Sequence, residues 1–254
     1  MLVAARLQPG FSAGPTLGGM TGHSYSSAAP MPRGLEIAHG GEDRRRAGLA
    51  GPLWLGASSL LALLVVWAVA ELVPAAHVRD ATLLGHFLAR DYGSFHSLAD
   101  HLPRLLNPLL FTLWSVALVL IAFARERPRV ALAVALVLAL APLSAEILKP
   151  LLAHSHLAVG QTQVDAASFP SGHSTAAAIL AMSAVLVAPS RLRPAVAALG
   201  AAFALAIGAA LLVRGAHMPS DVLGGYLLAL AWAAAAVAGV RVFERRRPPG
   251  AVAG

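Results

Sequence analysis

The sequence predicts an all-α protein: a six-helix transmembrane bundle, an interfacial helix between the first and second spans, and a disordered N-terminal tail. Three observations carry that prediction. The 254 residues are 57% hydrophobic and only 12% charged, whereas a soluble domain carries about a quarter charged residues. Six apolar runs are each near the ~20 residues that cross a bilayer. Arginines collect in alternate connections between those runs.

Residues 1–50, rich in Gly, Ser, Ala and Pro without apolar periodicity, read as a disordered cytoplasmic tail. Met20 and Met31 are alternative starts within it. The membrane domain is assigned to 51–245, and 246–254 to a short cytoplasmic tail. The spans run from Leu53 to Val73, Pro108 to Ala124, Val130 to Leu148, Gly172 to Val187, Ala195 to Val213, and Val222 to Val240. Pro142 falls inside the third, where a packed bundle tolerates a kink. Between the first two spans, "ATLLGHFLAR" sets Leu83, Leu84, Phe87 and Leu88 on one helical face, the pattern of a helix lying in the interface.

The formal charge of +7 comes largely from arginines placed between apolar runs, which is a topology signal and not a nucleic-acid patch. Arg33 and Arg44 to Arg46 precede the first span; Arg125, Arg127 and Arg129 separate the second and third. Arg191 and Arg193 separate the fourth and fifth, and Arg241 with Arg245 to Arg247 follow the sixth. With six spans all four groups share a side, which the positive-inside rule makes cytoplasmic, together with both termini. The opposite side receives Lys149, His154, His156, His173, Arg214, His217 and Asp221. The chain has no cysteine, so no thiolate nucleophile or cysteine metal site is available.

"PSGH" places Ser171 and Gly172 at the start of the fourth span, where free backbone N–H groups and the positive end of the helix dipole favour an anion. Gly172 permits close approach of an oxyanion, with His173 beside it. The plainer alternative is a Ser171 cap and an interfacial histidine. In "VRGAHMPSDVLGG", His217 and Asp221 lie four apart, so the carboxylate can fix one imidazole nitrogen and leave the other nucleophilic. Pro219 marks a helix start, and the plainer alternative makes Asp221 its cap. In "EILKPLLAHSHL", Lys149 can neutralise phosphate charge, or snorkel to the interface paired with Glu146.

Taken together, Lys149, Pro170-Ser171-Gly172-His173, and Arg214 with His217 and Asp221 resemble the three signature motifs of the type 2 phosphatidic acid phosphatase family. These are integral-membrane lipid phosphatases with six helices, and the resemblance covers roughly residues 50 to 245. Two positions depart from the pattern: His156 and Leu211 stand where the family carries arginines. A histidine loses the permanent charge and the bidentate fork. Arg214 lies about one helical turn beyond Leu211 and can reach a similar face.

The resemblance implies His217 as nucleophile, Asp221 as its orienting carboxylate, and His173 as general acid and then base. It implies Lys149, His156, Ser171, Gly172 and Arg214 as phosphate-binding groups. It implies neither metal nor cofactor. The implied substrate is a lipid phosphate or diphosphate, of polyprenyl, phosphatidate or phosphatidylglycerol phosphate type, met on the extracytoplasmic face of a bacterial cell membrane. Membrane lipids are the other expected partner. Rival readings are a phosphotransferase of the same fold, a metal site of His154, His156, His173 and Asp221, and a transporter or scaffold. Against the last, the polar residues gather at one membrane face rather than at mid-membrane.

Overall fold

A computed structural model describes residues 33–245. The tail assignments for 1–32 and 246–254 lie outside the described residues. The chain divides into Met1–Gly41 and Glu42–Gly254, and the helix bundle belongs to the second unit. Among the described residues the regular structure is helical: α1 (Arg33–Leu72), α2 (Pro74–Ala89), α3 (Ser94–His101), α4 (Pro108–Ala124), α5 (Pro128–Leu151), α6 (Gly172–Val187), α7 (Arg193–Val213) and α8 (Pro219–Arg245), with short 3₁₀ turns at Leu102–Leu106 and Ser190–Leu192. The expected boundary between tail and bundle at residue 50 therefore falls inside α1.

Prolines set the starts. Pro74, Pro108, Pro128 and Pro219 each open a helix, at a position whose missing N–H costs nothing. Asn107 caps α4 by accepting from the Leu110 N–H at 2.8 Å. Pro142 and Pro150 lie inside α5, which continues through both. Ser144 Oγ donates to the Ala141 carbonyl at 2.7 Å and accepts from the Trp232 indole at 2.9 Å, joining α5 to α8 near the proline.

α6 packs against α5, α7 and α8, and small residues make that central position possible. Ala177, Ala141 and Ala229 have no exposed surface. A Cβ on Gly225 would stand 2.6 Å from the Ser171 carbonyl oxygen and 3.1 Å from the Thr175 nitrogen, so α8 meets the backbone of α6 directly. Close backbone approach through small residues is how helices associate where hydrocarbon gives no hydrophobic drive. Large apolar side chains point outward instead: Leu61, Leu64, Leu109, Leu113, Leu120, Leu132 and Leu199 are all at least half exposed. A surface of that kind marks contact with lipid or with another protein.

Among the described residues four helices are long and apolar enough to cross a membrane: Gly48–Leu72, Pro128–Leu151, Ser190–Val213 and Pro219–Glu244. A fifth arises if Ser94–Leu106 and Pro108–Ala124, bent by 62°, form one broken span. α6 has 16 residues, about 24 Å at 1.5 Å per residue, against ~30 Å of hydrocarbon. The lengths thus give four or five full spans, where the apolar runs alone suggested six. The segment expected to lie in the interface is helical, as part of α2, and packs on α7 and α8. Leu84 is buried, Phe87 and Leu88 pack on the core, and Leu83 is exposed.

The basic connections share one end of the bundle. Arg127 donates to the Leu186 carbonyl at 3.0 Å, and Arg241 to the Gly48 carbonyl at 2.6 Å. The end of α5, the start of α6, the end of α7 and the start of α8 therefore meet at the other.

Candidate active site

At that other end the N-terminus of α6 is held open by its cap. Ser171 is extended, and its Oγ accepts from the Ser174 N–H at a long 3.4 Å. The Ser171 N–H donates to the Asp221 carbonyl at 3.0 Å, tying the mouth of α6 to the first turn of α8. Thr175 Oγ1 lies 2.9 Å from the Ser171 carbonyl and 3.2 Å from that of Gly225. A Cβ on Gly172 would meet Glu146 Oε1 at 2.7 Å and Lys149 Nζ at 3.6 Å. The Glu146 and Lys149 side-chain ends thus occupy the space beside the first turn of α6 that a side chain at 172 would take.

The turn between α7 and α8 needs a glycine for a different reason. Gly215 has φ +64°, a left-handed conformation, and a Cβ there would stand 2.8 Å from Thr162 Cγ2. Just beyond it, His217 Nδ1 donates to Asp221 Oδ2 at 3.3 Å, and the same oxygen accepts the Met218 N–H at 2.9 Å. Asp221 is fully buried, while the His217 side chain keeps 12% of its surface. From the third position of α8 the carboxylate thus accepts the N–H of Met218, the residue before the helix, and meets the imidazole with the same oxygen.

A cavity of about 660 Å³ opens at this end, walled by Lys149, Gly172, His173 and Arg214 together with Leu106 and Phe111. His173 lies within electrostatic reach of His217, Lys149, Arg214 and Glu146. Residues from α5, α6 and the α7–α8 turn, far apart in sequence, therefore share the wall of one cavity. Lys149 Nζ lies 2.6 Å from Glu146 Oε1, and Arg214 Nε lies 3.4 Å from Asp100 Oδ1. Both cations are partly exposed, so these pairs are exchangeable with a phosphate at little cost. Leu211, at a position where the resemblance calls for arginine, is buried in the apolar core, one turn below Arg214.

The sequence reading missed Arg104. It reaches the cavity wall from the 3₁₀ turn before α4, and its only sequence signal was a cation in a loop otherwise rich in leucine and proline.

His156 lies outside that wall. It is buried, its Nε2 is 2.9 Å from Ser168 Oγ, and its Nδ1 is 3.7 Å from Glu71 Oε1. Burial pushes its imidazole below the ordinary value, partly offset by the negative charge of Asp221. It therefore backs the His217–Asp221 pair instead of facing the cavity, because its partner is a glutamate from α1. Glu71 also went unnoticed in the sequence, although a carboxylate one residue from the end of an apolar helix is itself a signal. Beside it, Asp80 accepts from Ser220 through both backbone N–H, at 3.2 Å, and hydroxyl, at 2.6 Å. Burial raises the Asp80 carboxyl, and those two hydrogen bonds lower it in part.

Residues 130–245 match the family model described as the PAP2 superfamily, so the resemblance read from the three motifs holds over that segment. A solved structure, a transmembrane PAP2-type phosphatidylglycerolphosphate phosphatase from Bacillus subtilis, superimposes with a TM-score of 0.61 at 21% identity, covering 78% of this chain and 99% of that one. Among curated proteins, none is similar to the sequence. The chain is an integral membrane protein with the PAP2-type phosphatase fold.

Proposed function

We propose, for a chain whose residues 130–245 match the PAP2 superfamily, that it hydrolyses a lipid phosphate or diphosphate through a phosphohistidine on His217. The observation that carries this reading is one orienting contact, Asp221 Oδ2 against His217 Nδ1, beside a cavity that presents His173, Lys149 and Arg214. With its proton held on Nδ1, the imidazole offers Nε2 as a lone pair.

In the first step Nε2 of His217 attacks phosphorus, the bond to the leaving oxygen breaks, and protonated His173 delivers a proton to that oxygen. In the second, His173 takes a proton from water as the water oxygen attacks phosphorus; the P–N bond breaks and phosphate leaves. Lys149, Arg214 and the free N–H groups at the start of α6 hold the equatorial oxygens, the electrostatic part on which phosphoryl transfer chiefly depends.

The mixed wall suits a lipid phosphate, with the charged head on the cations and the first methylenes against Leu106 and Phe111. Phosphatidylglycerolphosphate, the substrate named for the structural neighbour, belongs to that class, as do polyprenyl phosphates. The arginine-bearing connections lie at the opposite end of the bundle, which supports an extracytoplasmic site with both termini inside.

The test is to mix detergent-purified protein with radiolabelled lipid phosphates, quench in base, and map the label. An acid-labile phosphoryl group on His217, absent from His217→Ala, is expected. Turnover by the alanine variant would exclude His217 as nucleophile. Label passed to an added alcohol in preference to water would favour a phosphotransferase.

A further inference from the structure

Behind the His217–Asp221 pair the protein buries carboxyl oxygens that no hydrogen-bond donor meets. Glu71, at the end of α1, has a side chain 1% exposed, and its Oε2 has no hydrogen-bond partner. Asp221 Oδ1 likewise has none, since Met218 and His217 both take Oδ2. Asp80 is a third carboxylate close by, held by Ser220 alone. Among the described residues the ion-pair partners of Glu71 and Asp221 are histidines, with no lysine or arginine. Buried carboxylates are stable when paired with charge or bound to a metal.

We propose that Glu71, His156 and Asp221 form a binding site for one divalent first-row cation of the zinc type. One ligand atom from each lies within 4.8 Å of the others, and all three residues are buried. His156 Nδ1 stands 3.7 Å from Glu71 Oε1. Four-coordinate zinc with ligands near 2.0–2.1 Å needs donors about 3.3 Å apart, so side-chain adjustments of about 1 Å close the site.

The surrounding contacts prepare each ligand. Ser168 holds Nε2 of His156, so with the ring proton there the Nδ1 lone pair faces Glu71. His77 accepts the Leu157 N–H on Nε2 and places its Nδ1 near the Ala70 carbonyl and 3.6 Å from Glu71 Oε2. Met218 and His217 fix Asp221 through Oδ2, leaving Oδ1 for the cation. Of the metal set considered from sequence, His156 and Asp221 are brought together, His173 faces the cavity, and Glu71 supplies the missing ligand.

A cation here joins the end of α1, the α5–α6 connection and the start of α8. It replaces the charge that an arginine at position 156 would have supplied. It keeps Asp221 ionised and aimed at His217, and so positions the nucleophile without touching phosphate.

The test is metal content, which is independent of the phosphatase reading. Full-length protein purified in detergent is equilibrated with Zn²⁺ or Co²⁺, freed of excess metal, and measured by mass spectrometry and visible absorption. About one bound metal per chain, ligand-field bands of a low-symmetry Co²⁺ site, and a higher unfolding temperature with metal are expected. Glu71→Gln and His156→Gln should lose most of the metal, and Ser168→Ala should bind about 10- to 100-fold more weakly. His217→Ala should keep it, whatever that variant does to activity. Where a ligand variant does not fold, wild type decides: less than about a tenth of an equivalent, with no metal-dependent shift in unfolding, overturns the proposal. Full occupancy of folded Glu71→Gln or His156→Gln overturns it equally.

Discussion

Asp221 reaches His217 with the same carboxylate oxygen, Oδ2, that accepts the N–H of Met218 just before α8. The orientation of the imidazole is therefore tied to the start of a helix, which is among the most rigid anchors a side chain can have. Asp221→Asn preserves the shape but loses the charge and can present the wrong atom to Nδ1. A loss of turnover of about 10⁴-fold is expected, the size seen when an orienting aspartate is neutralised in a serine protease. Initial rates of phosphate release measure it, and a loss below about tenfold would deny Asp221 that role.

Arg104 and Arg214 line the same cavity from different elements, the first from the 3₁₀ turn and the second from the end of α7. Each replaced singly by alanine should lower kcat/KM by about 10²-fold, the scale of one lost oxyanion donor. Arg214→Lys should recover part, since charge returns without the guanidinium fork. An Arg104→Ala enzyme with unchanged kinetics would show that this arginine only lines the cavity.

Two glycines at the mouth of α6 should respond differently to alanine. At Gly172 the new methyl meets the end of the flexible Glu146 side chain, which can swing away and leave Lys149 unpaired. Activity should change more than stability. At Gly225 the methyl meets backbone atoms of Ser171 and Thr175, which cannot yield, and a loss of about 1–3 kcal/mol is expected. Thermal unfolding in detergent, paired with kinetics, separates the two.

Asp80 gives a pH dependence of defined sign. Because burial raises its pKa, the folded protein binds this proton more tightly than the unfolded chain. Its ionisation therefore opposes folding at neutral pH, and that penalty is relieved as pH falls through the folded pKa toward the ordinary 3.8. Asp80→Asn carries no such penalty. Its stability relative to wild type should be greatest at neutral pH and shrink on acidification, as measured by unfolding temperature from pH 8 down to about pH 4. A difference that grows with acid would contradict the buried, raised carboxyl.

The resemblance to phosphatases was legible because its motifs are local. Ser171, Gly172 and His173 sit at a single helix start, and His217 with Asp221 on a single turn. Chain neighbours of that kind keep their geometry whatever the rest of the bundle does. Lys149 and Arg214 could also be placed, since both fall at helix ends that alternation of spans sends to the same side.

The sequence by itself determined a membrane-embedded helical protein and the local halves of its site, because apolar run length, proline starts and i to i+4 spacing are properties of short segments. Only the tertiary structure decided that Arg104 joins the cavity and that His156 turns away from it toward Glu71 on a distant helix. A buried charge takes whatever partner the packing of distant helices brings within reach, and no spacing along the chain encodes that distance.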